Sequence, residues 1–466
     1  MVVAPLILFM TPQGGTAATA SVSTGNAAID GLLAARSNPG LQNLPADGNA
    51  ALAAAIDAVA GDLGTSVTSA PAVAAANLPN DLSSRLAAVL QDEHACDAIT
   101  AAAMPTIRAS AVTLGVDKLT VAQATIDALR ACAQTLYSDG IALSTFAGSL
   151  SRSASRSTTI QALDVWPVIN LDLSGGTRTY PWDYVLIVDN NNATFLNNAG
   201  GNLIDVKRSP SNSTMARGCE TVNDFLLNQD PECIPASAVL IQLAGDNAFE
   251  QTQAPGEDAI CTSAPVVRRI VTEGAAVAGV GLLINSSTGT NSYHAKTSSQ
   301  GAGHIGGIGI LDATGGTNSF EAIRNAQGFG FIGGLGLFHL AATTNTVTYT
   351  PMPSGGIIDD TGVCNATTKH LQGAGEAGGV GAVVEDSGAS TWTSNTTQAQ
   401  GTGDLVLPAT QSAGPGIGIF LAESRCGSDG YFGVPGRTNG GGLIVVVGPR
   451  ADLTGLDDFV DIRGVC

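Results

Sequence analysis

Residues 298–320 read Ser298-Ser-Gln-Gly-Ala-Gly-His-Ile-Gly-Gly-Ile-Gly-Ile-Leu-Asp-Ala-Thr-Gly-Gly-Thr-Asn-Ser-Phe320. Residues 325–347 follow with Asn325-Ala-Gln-Gly-Phe-Gly-Phe-Ile-Gly-Gly-Leu-Gly-Leu-Phe-His-Leu-Ala-Ala-Thr-Thr-Asn-Thr-Val347. Gln300 and Gln327, Gly306 and Gly333, and Asn318 and Asn345 are each 27 residues apart, and Asn291 stands 27 before Asn318. After an insertion the pattern returns as Gln372-Gly-Ala-Gly-Glu-Ala-Gly-Gly-Val-Gly381. An internal repeat of this length is the signature of stacked supersecondary units.

The aromatic position gives the longest register. Phe195, Phe249, Tyr293, Phe320, Val347, Trp392 and Tyr431 each follow a short polar triplet, so about seven units lie between residues 184 and 440. A 27-residue unit holds two or three short strands and cannot bury an apolar face alone. Stacking units at ~4.8 Å gives every strand a parallel neighbour and joins the apolar faces into one core. The expected fold is therefore mainly β: a parallel β-helix, or β-solenoid, with coils of about 27 residues, preceded by a small α-helical domain. A β-propeller is the alternative, but its blades need about 40 residues or more.

Outward from the repeat, the chain divides into four parts: a signal-peptide-like segment at 1–20, an Ala-rich helical domain at 21–148, a polar Ser/Arg linker at 149–159, and the Gly-rich solenoid with its C-terminal cap at 160–466. In the helical part Leu52, Ile56, Val59 and Leu63 share one face after a cap at Asp47. Leu82, Leu86, Val89 and Leu90 share another, and Ile126, Leu129, Cys132 and Leu136 a third. Val168-Ile-Asn-Leu-Asp-Leu and Tyr184-Val-Leu-Ile-Val read as strands. The apolar run Val2 to Phe9 precedes Ala18-Thr-Ala, a small-x-small cleavage pattern, although no basic n-region precedes it. Export to the cell surface or outside is the resulting expectation. No later segment is apolar enough to span a bilayer.

The eight cysteines, Cys96, Cys132, Cys219, Cys233, Cys261, Cys364, Cys426 and Cys466, are even in number and contain no CxxC pair. Disulfides fit better than zinc. The expected pairs are Cys96–Cys132, Cys219–Cys233, Cys261–Cys364 and Cys426–Cys466. Sequons occur at Asn192, Asn212, Asn285, Asn365 and Asn395. A net charge of −19, with only 13% charged residues, excludes a phosphate-binding surface and polybasic attachment to lipid.

The catalytic inventory is thin. His94, His294, His304, His339 and His370 form no ligand spacing, and neither a GxSxG elbow nor a P-loop is present. The acids of the best repeats are Asp312, Glu321, Glu376, Glu385 and Asp386, with no stacked Asp/Arg column. The triplet column has more to offer. Thr290, Thr317 and Thr344, with Ser292, Ser319 and Thr346, would form hydroxyl ladders able to order water or touch a glycan if they face outward on a flat sheet. The favoured reading is a turn in which Asn291, Asn318 and Asn345 and the threonines bond their own backbone.

The repeat resembles a group of uncharacterised secreted bacterial proteins, chiefly actinobacterial. Their units run S-Q-G-x-G-x-x-G-G-x-G-x-L and then G-G-N-D-x-Y, matched here by Ser299 to Leu311 and Gly315 to Phe320. The resemblance covers about residues 180–440 and implies export but no activity. A more distant likeness to the calcium-binding RTX nonapeptide implies Ca²⁺. However, Asn291, Asn318 and Asn345 occupy its aspartate position, and only Asp429 keeps the acid. The expectation is no cofactor, with calcium the one ion this likeness leaves open. The functional expectation is an exported structural or adhesive surface protein, self-assembling or contacting other surface proteins or glycans. The alternatives are a carbohydrate-active enzyme and an ice-, glycan- or calcium-binding solenoid.

Overall fold

The computed structural model describes residues 23–37, 43–65, 75–151, 163–196, 199–206, 225–227, 233–251, 271–342, 344–349, 370–386, 389–393, 400–404 and 416–423, and the backbone pairing of short strands at 357–358, 364–365, 429–432, 441–447, 450–451 and 459–462. The fold is mainly β, in parallel sheets, with an N-terminal helical layer.

The helices are α1 (Ala27–Ser37), α2 (Gly48–Asp62), α3 (Asn80–Leu114) and α4 (Gln123–Ser151). The Asp47 carboxylate caps α2 by accepting from Ala50 N at 3.1 Å, which satisfies a helix-end donor. The Cys96–Cys132 disulfide ties α3 to α4. Two features go beyond the sequence reading. α1 is an additional helix, and α4 runs through Ser151 into the serine-rich stretch expected as linker. Among the described residues no helix is long and apolar enough to cross a membrane.

Three sheets follow. In sheet 1 the strands Ile169–Asp172, Leu186–Asp189, Ala238–Gln242, Val280–Asn285, Ile308–Ala313, Leu335–Leu340, Val380–Glu385 and Ile417–Glu423 pair in parallel in that order. Strand Leu163–Val165 closes the first edge by antiparallel pairing with Ile169–Leu171. Sheet 2 stacks Thr177–Tyr180, Asn192–Leu196, Asn247–Glu250, Thr290–His294, Thr317–Ala322, Thr344–Tyr349 and Ala389–Thr393. Sheet 3 is narrow, with Ala276–Val277, Gly303–His304, Gly330–Phe331, Gly375–Glu376 and Gly403–Asp404. From Ala276 to Thr393 each repeat unit gives one strand to each sheet, and the earlier units give strands to sheets 1 and 2. Pairing is in strict register: Thr290 lies opposite Thr317 and Thr317 opposite Thr344, while Tyr293, Phe320, Val347 and Trp392 follow one another.

Sheets 1 and 2 enclose the aromatic core. The rings of Tyr180, Phe195, Phe249, Tyr293 and Phe320 stack at 4.9, 5.0, 4.4 and 4.2 Å between successive centroids. Beside them runs a chain of amides. Asn247 Nδ2 donates to Asn291 Oδ1 at 2.8 Å, Asn291 to Asn318 at 2.9 Å, Asn318 to Asn345 at 3.0 Å, and Asn345 to Ser390 Oγ at 3.1 Å. Tyr180 joins the stack although only 15 residues, not a full repeat, separate it from Phe195.

Sheets 1 and 3 approach backbone to backbone, and this explains the recurrent Gly-x-Gly. A Cβ on Gly309 would lie 2.1 Å from Ala302 O, and the equivalents on Gly336 and Gly381 would meet Phe329 O at 2.2 Å and Ala374 O at 1.9 Å. No side chain fits there.

We expect Phe320→Ala to cost about 3–5 kcal/mol in denaturant unfolding, since it opens a cavity in the ring stack. Thr317→Ala, on the same strand but facing out, should stay within about 0.5 kcal/mol of the parent. Equal losses from the two would show that the strand is not oriented this way.

Candidate functional site

The Thr-Asn-Ser triplets are strands, not the expected turns. Alternating geometry sends Asn291 and Tyr293 inward and Thr290, Ser292 and His294 outward. Asn318 does bond within its own corner, its Nδ2 donating to Gly315 O at 3.2 Å. Its second partner, the next asparagine up the stack, holds it in the strand.

The outward side of sheet 2 therefore carries two columns. The first runs Thr177, Asn192, Asp246, Thr290, Thr317 and Thr344, with the backbone of Ala389 paired next to Thr344. The second runs Thr179, Thr194, Ala248, Ser292, Ser319, Thr346 and Thr391. Thr177, Thr179, Thr290, Thr317, Thr344, Thr346 and Thr391 are exposed, and Thr194, Ser292 and Ser319 are half-buried. The two columns contain one formal charge, Asp246, and its carboxylate accepts from Thr290 N at 2.7 Å. Charges collect in a third, marginal column, where His294 Nδ1 and Glu250 Oε1 lie 2.9 Å apart and Glu321 follows. Successive hydroxyls are ~4.8 Å apart up the stack and ~6.6 Å apart along a strand. Chemically this is an in-register lattice of donors and acceptors with a single formal charge.

The remaining residues singled out in the sequence divide between core and undescribed regions. Phe195, Phe249, Tyr293, Phe320, Val347 and Trp392 are fully enclosed, as are Asn291, Asn318 and Asn345. Tyr431 lies opposite Trp392 by backbone pairing. Cys233 is buried in a short strand paired with Leu203–Asp205, and Cys364 is placed by backbone pairing with Ile358. Cys219, Cys261, Cys426 and Cys466 lie outside the described residues, as do residues 1–22 and sequons Asn212 and Asn395. Sequon Asn285 is fully buried and donates to Tyr293 Oη at 2.6 Å, whereas Asn192 is exposed. Among the described residues no His/Cys/Asp/Glu group has the arrangement of a metal site.

A second polar site, which the sequence did not reveal, lies where the helices cover sheet 1. Asp312 and His339 are adjacent in register on neighbouring strands, facing the helical layer, and both are fully buried. His339 Nδ1 lies 2.7 Å from Asp312 Oδ1, and Nε2 lies 3.0 Å from Asp386 Oδ2. Tyr137 Oη of α4 donates to Asp312 Oδ2 at 2.7 Å, and Arg36 of α1 reaches Asp312 at 3.4 Å and packs against the imidazole. Burial would raise the Asp312 pKa, but Arg36 and His339 hold it down at about 2. Burial and Arg36 oppose the imidazolium of His339, yet Asp312 and Asp386 outweigh them and raise its pKa. The Asp312 and His339 side chains have no exposed surface, and through Arg36 and Tyr137 the group ties α1 and α4 to sheet 1 as a clamp. Glu385 is likewise enclosed, accepting from Trp392 Nε1 at 3.2 Å and from Ser390 Oγ.

Beside the clamp is a set of acids. Glu93 of α3 is fully buried against sheet 1, and burial, then Asp97 and Asp92, push it well above the carboxylate range. Asp97 accepts from Ser237 N at 2.5 Å, yet burial lifts it to about 7, with Asp62 raising it slightly and His94 opposing. Asp92 is pushed to about 7 by burial and by Asp139 of α4.

Comparison with protein-family models, curated proteins and solved structures finds no match.

The acids give the interface a pH dependence of definite sign. Folded Asp92, Glu93 and Asp97 keep protons that unfolded carboxylates, with pKa near 4, release. The folded state binds more protons between about pH 4 and 7, so stability falls as pH rises through that window. His339, whose pKa is raised, acts in the same direction at higher pH. Asp312 acts oppositely, but only as pH falls from about 4 toward 2. Hydrogen-exchange protection of α3 and α4 should be lower at pH 8 than at pH 5, and a Glu93→Gln/Asp97→Asn variant should flatten the difference. Equal protection of the parent at both pH values would refute this account.

Proposed function

We propose that the chain is an exported parallel β-helix that works as a non-catalytic binding surface, and that the hydroxyl face of sheet 2 is where it binds. The observation that carries the reading is the pair of outward Thr/Ser columns, in register over successive strands and almost free of charge. A flat lattice suits a flat, repetitive solid better than a small molecule, which needs a concave site. A groove of about 530 Å³ between α3 and the start of α4 is lined by alanines, Ile99, Ile107 and Val121 with Thr106, Thr120 and Thr125. It contains no charged side chain.

Export is supported by the Cys96–Cys132 disulfide, which belongs to an oxidising compartment. A carbohydrate-active enzyme is less well supported, because Asp312 and Glu385 are enclosed and Asp386 bonds His339. Filament growth by continuing the sheets end to end is opposed at the first edge, where a three-residue antiparallel strand terminates sheet 1. The reading is thus an adhesive surface protein acting through one face.

Adsorption of the purified chain to ice, microcrystalline cellulose and chitin tests this. The parent should bind at least one solid, and Thr317→Tyr/Thr344→Tyr, which breaks the plane without touching the core, should reduce binding about tenfold. The circular dichroism of the two should match. Binding by the double variant as tight as the parent's would remove the face from the reading.

A further inference from the structure

We propose that the solid recognised by the hydroxyl face of sheet 2 is ice. The proposal rests on the reading of that face as the binding surface and names its occupant.

Three observations select frozen water among flat solids. The first is charge. The chain carries −19 overall, yet the columns through Thr290, Ser292, Thr317, Ser319, Thr344 and Thr346 carry a single formal charge, Asp246, whose carboxylate is engaged by Thr290 N at 2.7 Å. Ionic groups bind water radially and break a tetrahedral lattice, while neutral hydroxyls accept and donate within it. A plate so sparsely charged on an acidic protein complements a neutral lattice, not a cationic or anionic polymer. The second is the absence of outward rings on this plate. A glycan surface is gripped by stacking its apolar sugar faces on aromatic side chains. Here, among the described residues, Tyr293, Phe320 and Trp392 are all enclosed, and their outward neighbours are Ser292, Ser319 and Thr391 on the plate and His294, Glu321 and Thr393 at its margin. The third is rigidity. Inter-strand asparagine bonds at 2.8–3.0 Å and ring stacking hold each strand in register from behind.

The resulting repeats are ~4.8 Å between strands and ~6.6 Å along them. Thr290, Thr317, Thr344 and Thr346 each supply a γ-methyl and a hydroxyl to this array, and Ser292 and Ser319 a hydroxyl. Water held in the trough between the columns can then belong to the protein's lattice and to the crystal's. Because the array is formed before contact, little ordering cost remains on binding. The marginal column that contains Glu250, His294 and Glu321 bounds the plate on one side.

The experiment is ice-affinity partitioning of the purified full chain, with cryomicroscopy of single crystals growing in its presence. The parent should enter a slowly grown ice phase at about ten times the fraction of an inert protein of equal size, and should facet the crystals. Thr317→Tyr/Thr344→Tyr should be excluded with the inert control. Thr317→Val/Thr344→Val, which keeps the γ-methyl and loses the hydroxyl, guards against a folding artefact and should also lose partition. Unchanged melting curves must accompany both losses. Exclusion of the parent from ice overturns the proposal. If that exclusion is accompanied by tyrosine-sensitive adsorption to cellulose or chitin, the hydroxyl face remains the binding surface and only its occupant is wrong. If it is accompanied by adsorption to none of the three, both readings fall. Partition of the tyrosine variant equal to the parent's would locate ice binding elsewhere and also overturn the proposal.

Discussion

Asn318 accepts a hydrogen bond from Asn291 below and donates one to Asn345 above, and each of the three is shut away from solvent. This places a severe condition on the chain. A buried amide without partners costs about 1–3 kcal/mol. Each asparagine can be satisfied only if the next unit places a polar partner, another asparagine or, above Asn345, Ser390, at the same height and in the same direction. A slip of one residue would turn the amides and rings to solvent and bring Thr317 and Ser319 inside. Register is therefore enforced at every level of the stack, and the regularity of the outer surface follows from it. The hydroxyl lattice is the outward image of the amide and aromatic ladders.

The same alternation leaves the sheets with different fates. In sheet 1 both sides are apolar: Leu283 and Leu311 point to the aromatic core, Leu282, Ile284 and Ile310 to the outside. That outer side cannot stay wet, and the helical layer covers it, packing so closely at Gly140 that a Cβ there would meet Ile284 Cδ1 at 3.0 Å. In sheet 2 the outward residues are hydroxyl-bearing and need no cover. Charged groups enter the helix–sheet interface only in compensated form. Arg36, Tyr137, Asp312, His339 and Asp386 make a closed set in which removing one member would strand the others. Glu93, Asp92 and Asp97 reach the same interface by holding their protons.

Much of this was legible in the residues. The recurrence of Gln-Gly-x-Gly, Gly-Gly-x-Gly and Asn-Ser-aromatic at one spacing implied parallel stacking, and the Cys96–Cys132 pairing followed from two helical stripes. The Thr-Asn-Ser segments were misread because Asn, Thr and Ser are turn formers by local preference. Strand alternation and the inter-strand amide bonds overrode that preference. The partners of the buried histidine were not legible in the sequence. His339 occupies a position that is Val384 in the following strand, so the repeat marks it as variable, and its partners lie 303 residues away at Arg36 and 27 away at Asp312.

The amino-acid sequence alone determined the period, the alternation of inward and outward side chains, and the identity of the residues that stack. These are local or repeat-wise properties, fixed by the geometry of an extended chain. Only the tertiary structure decided which outer face is covered and which stays open. Tyr137 meets Asp312 across 175 residues. No periodicity links a helical stripe to one face of a distant sheet, and only the burial of both apolar surfaces together selects it.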